Sequence, residues 1–291
     1  MKRFVMHTLA AACLAAAVGP VFANASSSAT FGNLVITLTD LNPNDGIAPS
    51  MSFTAYGHAY VLGETLAWGD LKDDTLYAYT AKQQQGVLSG ETHTDWSSAT
   101  SSVTTANTVA GFTALSAQGT ANSGLDANGA YRSYATGADP FENGFVLSAN
   151  TKVTFSTNVS MQTQTTMGYN LDADQMEYAN AHALLYVAGS VNGVDRSDTQ
   201  ERDMWSTFDV RDDGSTMGMH DSWSGQFSVS FANDSAMDAS GTMKGFVSTE
   251  GYSAVWDGVT PVPEPETYAM LLGGLGLIGA IGRRRKARAE R

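Results

Sequence analysis

The chain has 291 residues, 29 acidic against 16 basic side chains and a net charge of −13. So acidic a surface is repelled by phosphate backbones and anionic lipid, which excludes nucleic acid as a partner unless cations bridge the two. The single cysteine, Cys13, lies close to the amino terminus, so no disulfide braces the body that follows.

At the start, Lys2 and Arg3 precede an apolar run from Phe4 to Val18, and Gly19-Pro20 then breaks the helix. Small residues follow at the cleavage positions, Ala23-Asn24-Ala25, and this order is that of a secretory signal peptide occupying residues 1–25. Signal peptidase is expected to cut after Ala25. A lipoprotein cut at Cys13 would leave a signal of only twelve residues and is set aside.

Between Ser26 and Thr260 there are 26 acidic and 8 basic side chains, a net of −18, which suits solubility outside the cell. Hydrophobic period in this body is mostly two. Leu34, Ile36 and Leu38 alternate with Val35, Thr37 and Thr39, and Val153, Phe155, Val159 and Met161 alternate with polar neighbours, as half-buried strands require. Phe227, Val229 and Phe231 alternate with serines, and Asn233-Asp234-Ser235 then leads toward Met243–Val247, which predicts a hairpin. Further strands are expected at Met51–Leu62, Leu76–Thr80, Val109–Ala117, Phe145–Leu147, Trp205–Val210 and Tyr252–Trp256.

Leu171–Gly189 competes for helix, because Met176, Ala179, Ala183, Leu184 and Val187 form an apolar stripe. Yet Tyr178, His182, Leu184 and Tyr186 share one parity while Ala179, Ala181 and Ala183 share the other, and the strand reading is preferred. The Ser/Thr-rich run Ser97–Thr108 has little to bury and is expected to be a loop or an exposed edge strand. With no Pro-rich or Gly/Ser-rich linker in the middle, residues 26–260 are predicted to form one all-β domain. That domain is a single antiparallel β-sandwich, with jelly-roll and immunoglobulin-like topologies both open.

No catalytic motif stands out in the body. There is no Gly-x-Ser-x-Gly elbow, no His-Glu-x-x-His helix and no phosphate-cradling glycine loop, and His58, His93, His182 and His220 are isolated. The expectation is therefore a protein that is not an enzyme, with no catalytic or metal residues and no cofactor. Calcium is the one ion with places to go. Asp40, Asn42, Asn44 and Asp45 before Gly46 offer oxygens at alternating positions, and Asp172, Asp174 and Glu177, and Asp209, Asp212 and Asp213, are looser groups. Asn, Asp and Gly also make ordinary turns, which is the preferred reading of all three. Trp68, Trp96, Trp205, Trp223 and Trp256 could stack on sugar rings, but core anchoring is preferred.

The last segment, residues 261–291, is built in three parts. Pro263, Glu264 and Pro265 form an extended lead-in, because proline fixes its own φ and disfavours helix in the residue before it. An uncharged run, Thr267–Gly282, follows and carries Leu271, Leu272, Leu275, Leu277, Ile278 and Ile281. As a helix it reaches roughly 24 Å against the roughly 30 Å hydrocarbon core, which makes it a short, weak transmembrane anchor. Arg283, Arg284, Arg285 and Lys286 then hold that end in the cytoplasm, so the body lies outside.

Val262-Pro-Glu-Pro-Glu, then Tyr268-Ala-Met-Leu-Leu-Gly-Gly-Leu-Gly-Leu-Ile-Gly, then Arg283-Arg-Arg-Lys resembles the PEP-CTERM sorting signal of Gram-negative bacteria. The resemblance covers about a tenth of the chain. It implies processing by an exosortase-like enzyme, a precursor held transiently in the inner membrane, and delivery to the cell surface or to the exopolysaccharide matrix of a biofilm. The expected function is that of a non-enzymatic structural or matrix-associated component that meets extracellular polysaccharide. A calcium-assisted carbohydrate-binding module is the alternative. A secreted glycoside hydrolase, whose paired carboxylates are set by separation in space, is the second alternative.

Overall fold

The computed structural model describes residues 23–55, 58–69, 76–84, 87–104, 112–124, 127–139, 143–166, 169–170 and 175–255. Residues 1–22, most of the expected signal peptide, and residues from 256 onward lie outside them, and with the latter Pro263–Pro265, the apolar run and the basic cluster.

The described residues form strands and turns only. In chain order the strands are β1 (Ala23–Phe31), β2 (Val35–Asp40), β3 (Met51–Ala55), β4 (His58–Trp68), β5 (Leu76–Gln84), β6 (Leu88–His93), β7 (Ser97–Thr104), β8 (Ala114–Ser123) and β9 (Asn128–Asp139). There follow β10 (Asn143–Leu147), β11 (Thr151–Thr165), β12 (Tyr169–Asn170), β13 (Gln175–Val191), β14 (Val194–Ser206), β15 (Asp209–Val210), β16 (Thr216–Met217), β17 (His220–Asn233) and β18 (Ala239–Val255).

Among the described residues two large antiparallel sheets result, beside a small two-stranded one of β15 and β16. One runs β17-β11-β1-β8-β7-β6, with β2 also on β11, and the other runs β12-β13-β18-β9-β4-β5, with β14 on β13 and β10 joining β18 to β3. Several strands are interrupted rather than separate. Phe31 pairs with Val159 and Val35 with Ser156, so residues 32–34 bulge opposite residues 157–158 and β2 continues β1 along the same edge of β11. The sheets stack in order, with β11 against β13, β1 against β18, β8 against β9 and β7 against β4. This is a β-sandwich.

The two ends of its interior differ in chemistry. At one end Phe31, Phe145, Phe155, Phe227 and Phe231 pack with Val153, Val159, Leu185 and Val187. Ring centroids there lie 5.7 Å apart for Phe145 and Phe155 and 5.9 Å for Phe145 and Phe231. Burying each such side chain contributes about 1.5–3 kcal/mol. Of the expected inward residues, Val153, Phe155, Val159, Phe227, Val229 and Phe231 are buried, while Leu34 and Ile36 are half-buried against them.

At the other end the sheets approach through small residues and hydroxyl bridges. Ser27 and Tyr131 share a hydrogen bond of 2.6 Å, Ser123 and Ser253 one of 2.9 Å, and Thr163 and Ser206 one of 2.8 Å. Ser97 Oγ donates to Leu66 O and Ser101 Oγ to Leu62 O, again from one sheet to the other. These buried hydroxyls are tolerated because each has a partner, whereas Thr249 Oγ1 is buried without one among the described residues. Rings fit between the sheets by lying over glycines: a Cβ at Gly119 would sit 2.0 Å from the Tyr131 ring at this end, and one at Gly245 would sit 2.0 Å from Phe112, whose ring centroid is 6.0 Å from that of Phe31.

Two local expectations are corrected. Ser97–Thr104 is β7, paired on both sides with β6 and β8, because its hydroxyls find backbone carbonyls across the interior. The predicted hairpin of β17 with β18 is absent: β17 pairs with β11 and β18 with β13, β9 and β10. Asn233 turns the chain across instead, its Nδ2 donating to Leu147 O, Ser148 O and Met237 O. The strand reading preferred for Leu171–Gly189 holds in its described part, which is β13: Ala179, Ala181, Ala183, Leu185 and Val187 are buried, while Tyr178, His182, Leu184 and Tyr186 take the outer parity.

Candidate functional site

The two outer faces of the sandwich are unlike. Outward positions of β1, β7, β8 and β11 carry Ser28, Ser98, Thr100, Gln118, Thr120 and Gln162, and the depression there, about 280 Å³, is lined almost wholly by such residues.

The opposite sheet carries rings. Alternation places Tyr60 on β4, Tyr134 on β9, Phe246 on β18 and His182 on β13 on the same outer face, where they meet in a line across four strands. Their centroids are 5.2 Å apart for Tyr60 and Tyr134, 5.8 Å for Tyr134 and Phe246, and 5.6 Å for Phe246 and His182. Farther along β13 and β18, Tyr178 stacks on Tyr252, its partner across the strand pair, at 5.7 Å. These side chains are half-buried, since each covers its neighbour.

At the β5 edge the face opens. Tyr77 and Tyr79 are 59% and 51% exposed, and their ring planes lie within 13° of each other with centroids 6.3 Å apart. Glu64 stands directly opposite Tyr79 and accepts from the Tyr77 hydroxyl at 3.1 Å. Arg132 lies between Glu64 and Glu250, at 3.7 Å and 3.9 Å. Exposed rings with carboxylates and a guanidinium beside them suit a flexible polar ligand that has an apolar face of its own. The hydroxyl of Tyr60 pushes Tyr79 up, and partial burial together with Glu64 pushes Tyr77 up, so both phenols stay protonated as donors.

At the opposite edge Trp205 on β14 is 61% exposed, so core anchoring does not describe it. Trp223, half-buried on β17, lies under the Arg202 guanidinium at 4.4 Å from the ring centroid. Sequence reasoning placed a strand at Leu76–Thr80 but did not single out Tyr77 and Tyr79. Their shared parity, with Ala78 and Thr80 on the other, was the available signal.

The proposed calcium loops are turns in their described parts. Asp45 accepts from the Ile47 amide at 2.7 Å and from Asn150 Nδ2 at 2.7 Å, and Asp40 accepts from the Asn42 amide at 2.9 Å. Asp213 accepts from the Ser215 amide and hydroxyl, which hold its carboxyl below the usual range. Asp172 and Asp174 lie outside the described residues, whereas Glu177 is buried and accepts from the Thr166 amide and hydroxyl at 2.7 Å and 3.0 Å.

Of the expected processing residues, Ala23 and Ala25 are buried in β1, opposite Ser123 and Ala121. Pro263, Glu264 and Pro265, the six apolar anchor residues and Arg283–Lys286 lie outside the described residues.

Residues 261–286 match the family described as the PEP-CTERM protein-sorting motif. No curated protein matches the chain. Among solved structures, a carbohydrate-binding module titled "Structural basis for the promiscuous specificity of the carbohydrate-binding modules from the beta-sandwich super family" is similar at 8% identity. That likeness covers 72% of this chain and 98% of that one, but its TM-score of 0.14 leaves it without weight in any argument.

Proposed function

We propose that this is an exported, non-enzymatic matrix protein, delivered by its sorting tail and held against extracellular polysaccharide by the aromatic face of its larger sheet. Export and processing by an exosortase follow from the motif at residues 261–286. The polysaccharide contact is carried by one observation, the near-parallel and exposed pair Tyr77 and Tyr79 beside Glu64. Pyranose rings present C–H groups on one face, which stack on aromatic rings, while Glu64 and Arg132 bond the hydroxyls at the rim. With a net charge of −18 between Ser26 and Thr260, the body favours a neutral or amino-bearing polymer over a uronate-rich one.

The test is affinity electrophoresis of the exported protein through gels containing the producing organism's own extracellular polysaccharide. Wild type is expected to be retarded, and a Tyr77→Ala, Tyr79→Ala double variant to run at its polymer-free mobility with an unchanged melting temperature. Equal retardation of the two would overturn the assignment of the face, and no retardation of wild type would overturn polysaccharide binding. Calcium assistance is tested in the same gels, since retardation that vanishes with a chelator would favour that alternative.

A further inference from the structure

On the outer face, at the junction of β13 and β14, an imidazole and two carboxylates converge. His182 and Asp203 are directly opposite each other across the strand pair, and Glu201, paired with Leu184, lies two residues along the same face. One donor atom from each of the three lies within 4.8 Å of the other two, and His182 Nε2 is 2.9 Å from Glu201 Oε1. We propose that His182, Glu201 and Asp203 bind a divalent transition-metal ion of the zinc class.

The geometry supports this in three ways. Donors around a four-coordinate zinc lie roughly 3.3–3.5 Å apart, given bonds of about 2.0–2.2 Å, so the three groups need only small side-chain rotations to close on an ion. The His182 ring is already braced, its centroid 5.6 Å from that of Phe246, which leaves Nε2 turned toward the carboxylates. Glu201 and Asp203 also have no lysine or arginine within ion-pair distance among the described residues, whereas the neighbouring Glu64 and Glu250 share Arg132. A cation is what this corner of the face lacks.

Donor chemistry selects the class of ion. Calcium takes six to eight oxygens in a flexible cage, which one imidazole and two carboxylates on a flat sheet do not supply. Imidazole with carboxylate suits zinc and its neighbours, with the remaining position left to solvent because the site lies on an outer face.

The experiment uses the untagged full-length chain in detergent micelles, titrated calorimetrically with zinc chloride and, separately, calcium chloride. One saturable zinc site per chain is expected, and His182→Gln, Glu201→Gln and Asp203→Asn should each weaken it by at least about tenfold while His93→Gln leaves it unchanged. A second reading needs no variant. Long-range ¹H–¹⁵N correlation of the histidine rings should show the His182 resonances moving on zinc addition and those of His93 and His220 staying in place. Absence of saturable zinc binding, equal binding by the His182→Gln variant, calcium binding as tight as zinc, or movement of the His93 or His220 resonances instead would each overturn the site.

Discussion

The Ser27 hydroxyl on β1 and the Tyr131 hydroxyl on β9 lie 2.6 Å apart and tie one sheet to the other where aliphatic packing is thin. Burial pushes the Tyr131 phenol up strongly, with the Ser27 hydrogen bond opposing in part. Replacing Tyr131 by Phe strands a buried serine hydroxyl and should cost about 1–3 kcal/mol, read as a lowered melting temperature. The sign of the pH effect follows from linkage. A phenol whose folded pKa is raised above about 10 contributes stability that is fully present below pH 10 and lost as pH rises beyond it. Wild type should therefore hold a flat melting temperature to about pH 10 and then decline, and Tyr131→Phe should start lower and decline less steeply. Parallel pH profiles would remove Tyr131 from the alkaline transition.

Gly119 and Gly46 test two separate reasons for glycine. A methyl at Gly119 meets the Tyr131 ring at 2.0 Å, whereas Gly46 has φ +73° and open space around it. Gly119→Ala should cost about 1–3 kcal/mol or more through overpacking. Gly46→Ala should cost about 1 kcal/mol through backbone strain alone. Chemical denaturation of both variants checks the order, and a neutral Gly119→Ala would show that the sheets separate there without penalty.

Much of this fold was legible because strand period is a local property. Val153, Phe155 and Val159 announced β11 by alternation alone, and the parity of Ala179, Ala181 and Ala183 decided strand over helix for β13. Parity does not say which face is inside. In β13 the alanines are buried and the tyrosines look out, a choice made by rings from the facing sheet that lie close to small residues, as Phe231 lies over Gly189. β7 was expected as a loop or an exposed edge strand, and its place inside the sheet was not foreseen, because its serines look like surface residues until the carbonyls of Leu62 and Leu66 are placed opposite them. The β17 to β18 crossing depends on Asn233 reaching Leu147 and Ser148, more than eighty residues away, which no local pattern encodes. For the aromatic face, strand was expected over parts of β4, β5, β13 and β18 but not over β9, which carries Tyr134, and the exposure of Tyr77, Tyr79 and Trp205 depended on where the sheet ends.

The β17 edge shows how side chains can guard a sheet. From β14, Arg196 Nη1 donates to Ala232 O, Asp198 accepts from the Ser230 amide and Gln200 accepts from the Ser228 amide, so alternate residues of one strand occupy the free backbone of another. An unguarded edge is a template for pairing with another chain. Asp198→Ala with Gln200→Ala should cost about 1 kcal/mol per lost bond and promote self-association. Light scattering of concentrated protein checks this, and a double variant as monodisperse as wild type would show that the edge needs no guard.

Cleavage after Ala25 would fall inside β1. Ala23, Asn24 and Ala25 pair with Ser123, Asn122 and Ala121, and the Asn24 amide donates to Thr166 Oγ1, itself bonded to the buried Glu177. Signal peptidase acts on the chain before it folds, so the cut can precede the strand. Intact mass of the exported protein is expected to place its first residue at Ser26. A chain released at Ala23 through an engineered protease site should then melt higher. Two buried alanine methyls and the added hydrogen bonds amount to about 2 kcal/mol, or roughly 4–8 °C for a body of this size. Equal melting temperatures would mean that this part of β1 adds nothing.

The sorting tail should be separable from the body in both directions. β18 ends at Val255, ahead of the matched segment that begins at Pro261, so truncation at Thr260 removes no described strand. Segments away from core contacts change stability by no more than about 0.5 kcal/mol, so the melting temperature should stay within a few degrees. Delivery is where the loss should appear. The expectation from sequence is that the apolar run, roughly 24 Å if helical, would not hold the membrane firmly alone and that the Pro-Glu-Pro lead-in is what a processing enzyme reads. Replacing Pro263, Glu264 and Pro265 together by alanine removes the proline constraint on φ in the matched motif. Full-length precursor should then accumulate in the inner membrane. Fractionation of wild type and the triple variant, followed by intact mass of whatever is released, measures both halves of the claim. Wild type should appear outside without Arg283–Arg291, and a triple variant that reaches the matrix as efficiently, or a released form that keeps its basic end, would mean that this motif is not what sorts the protein.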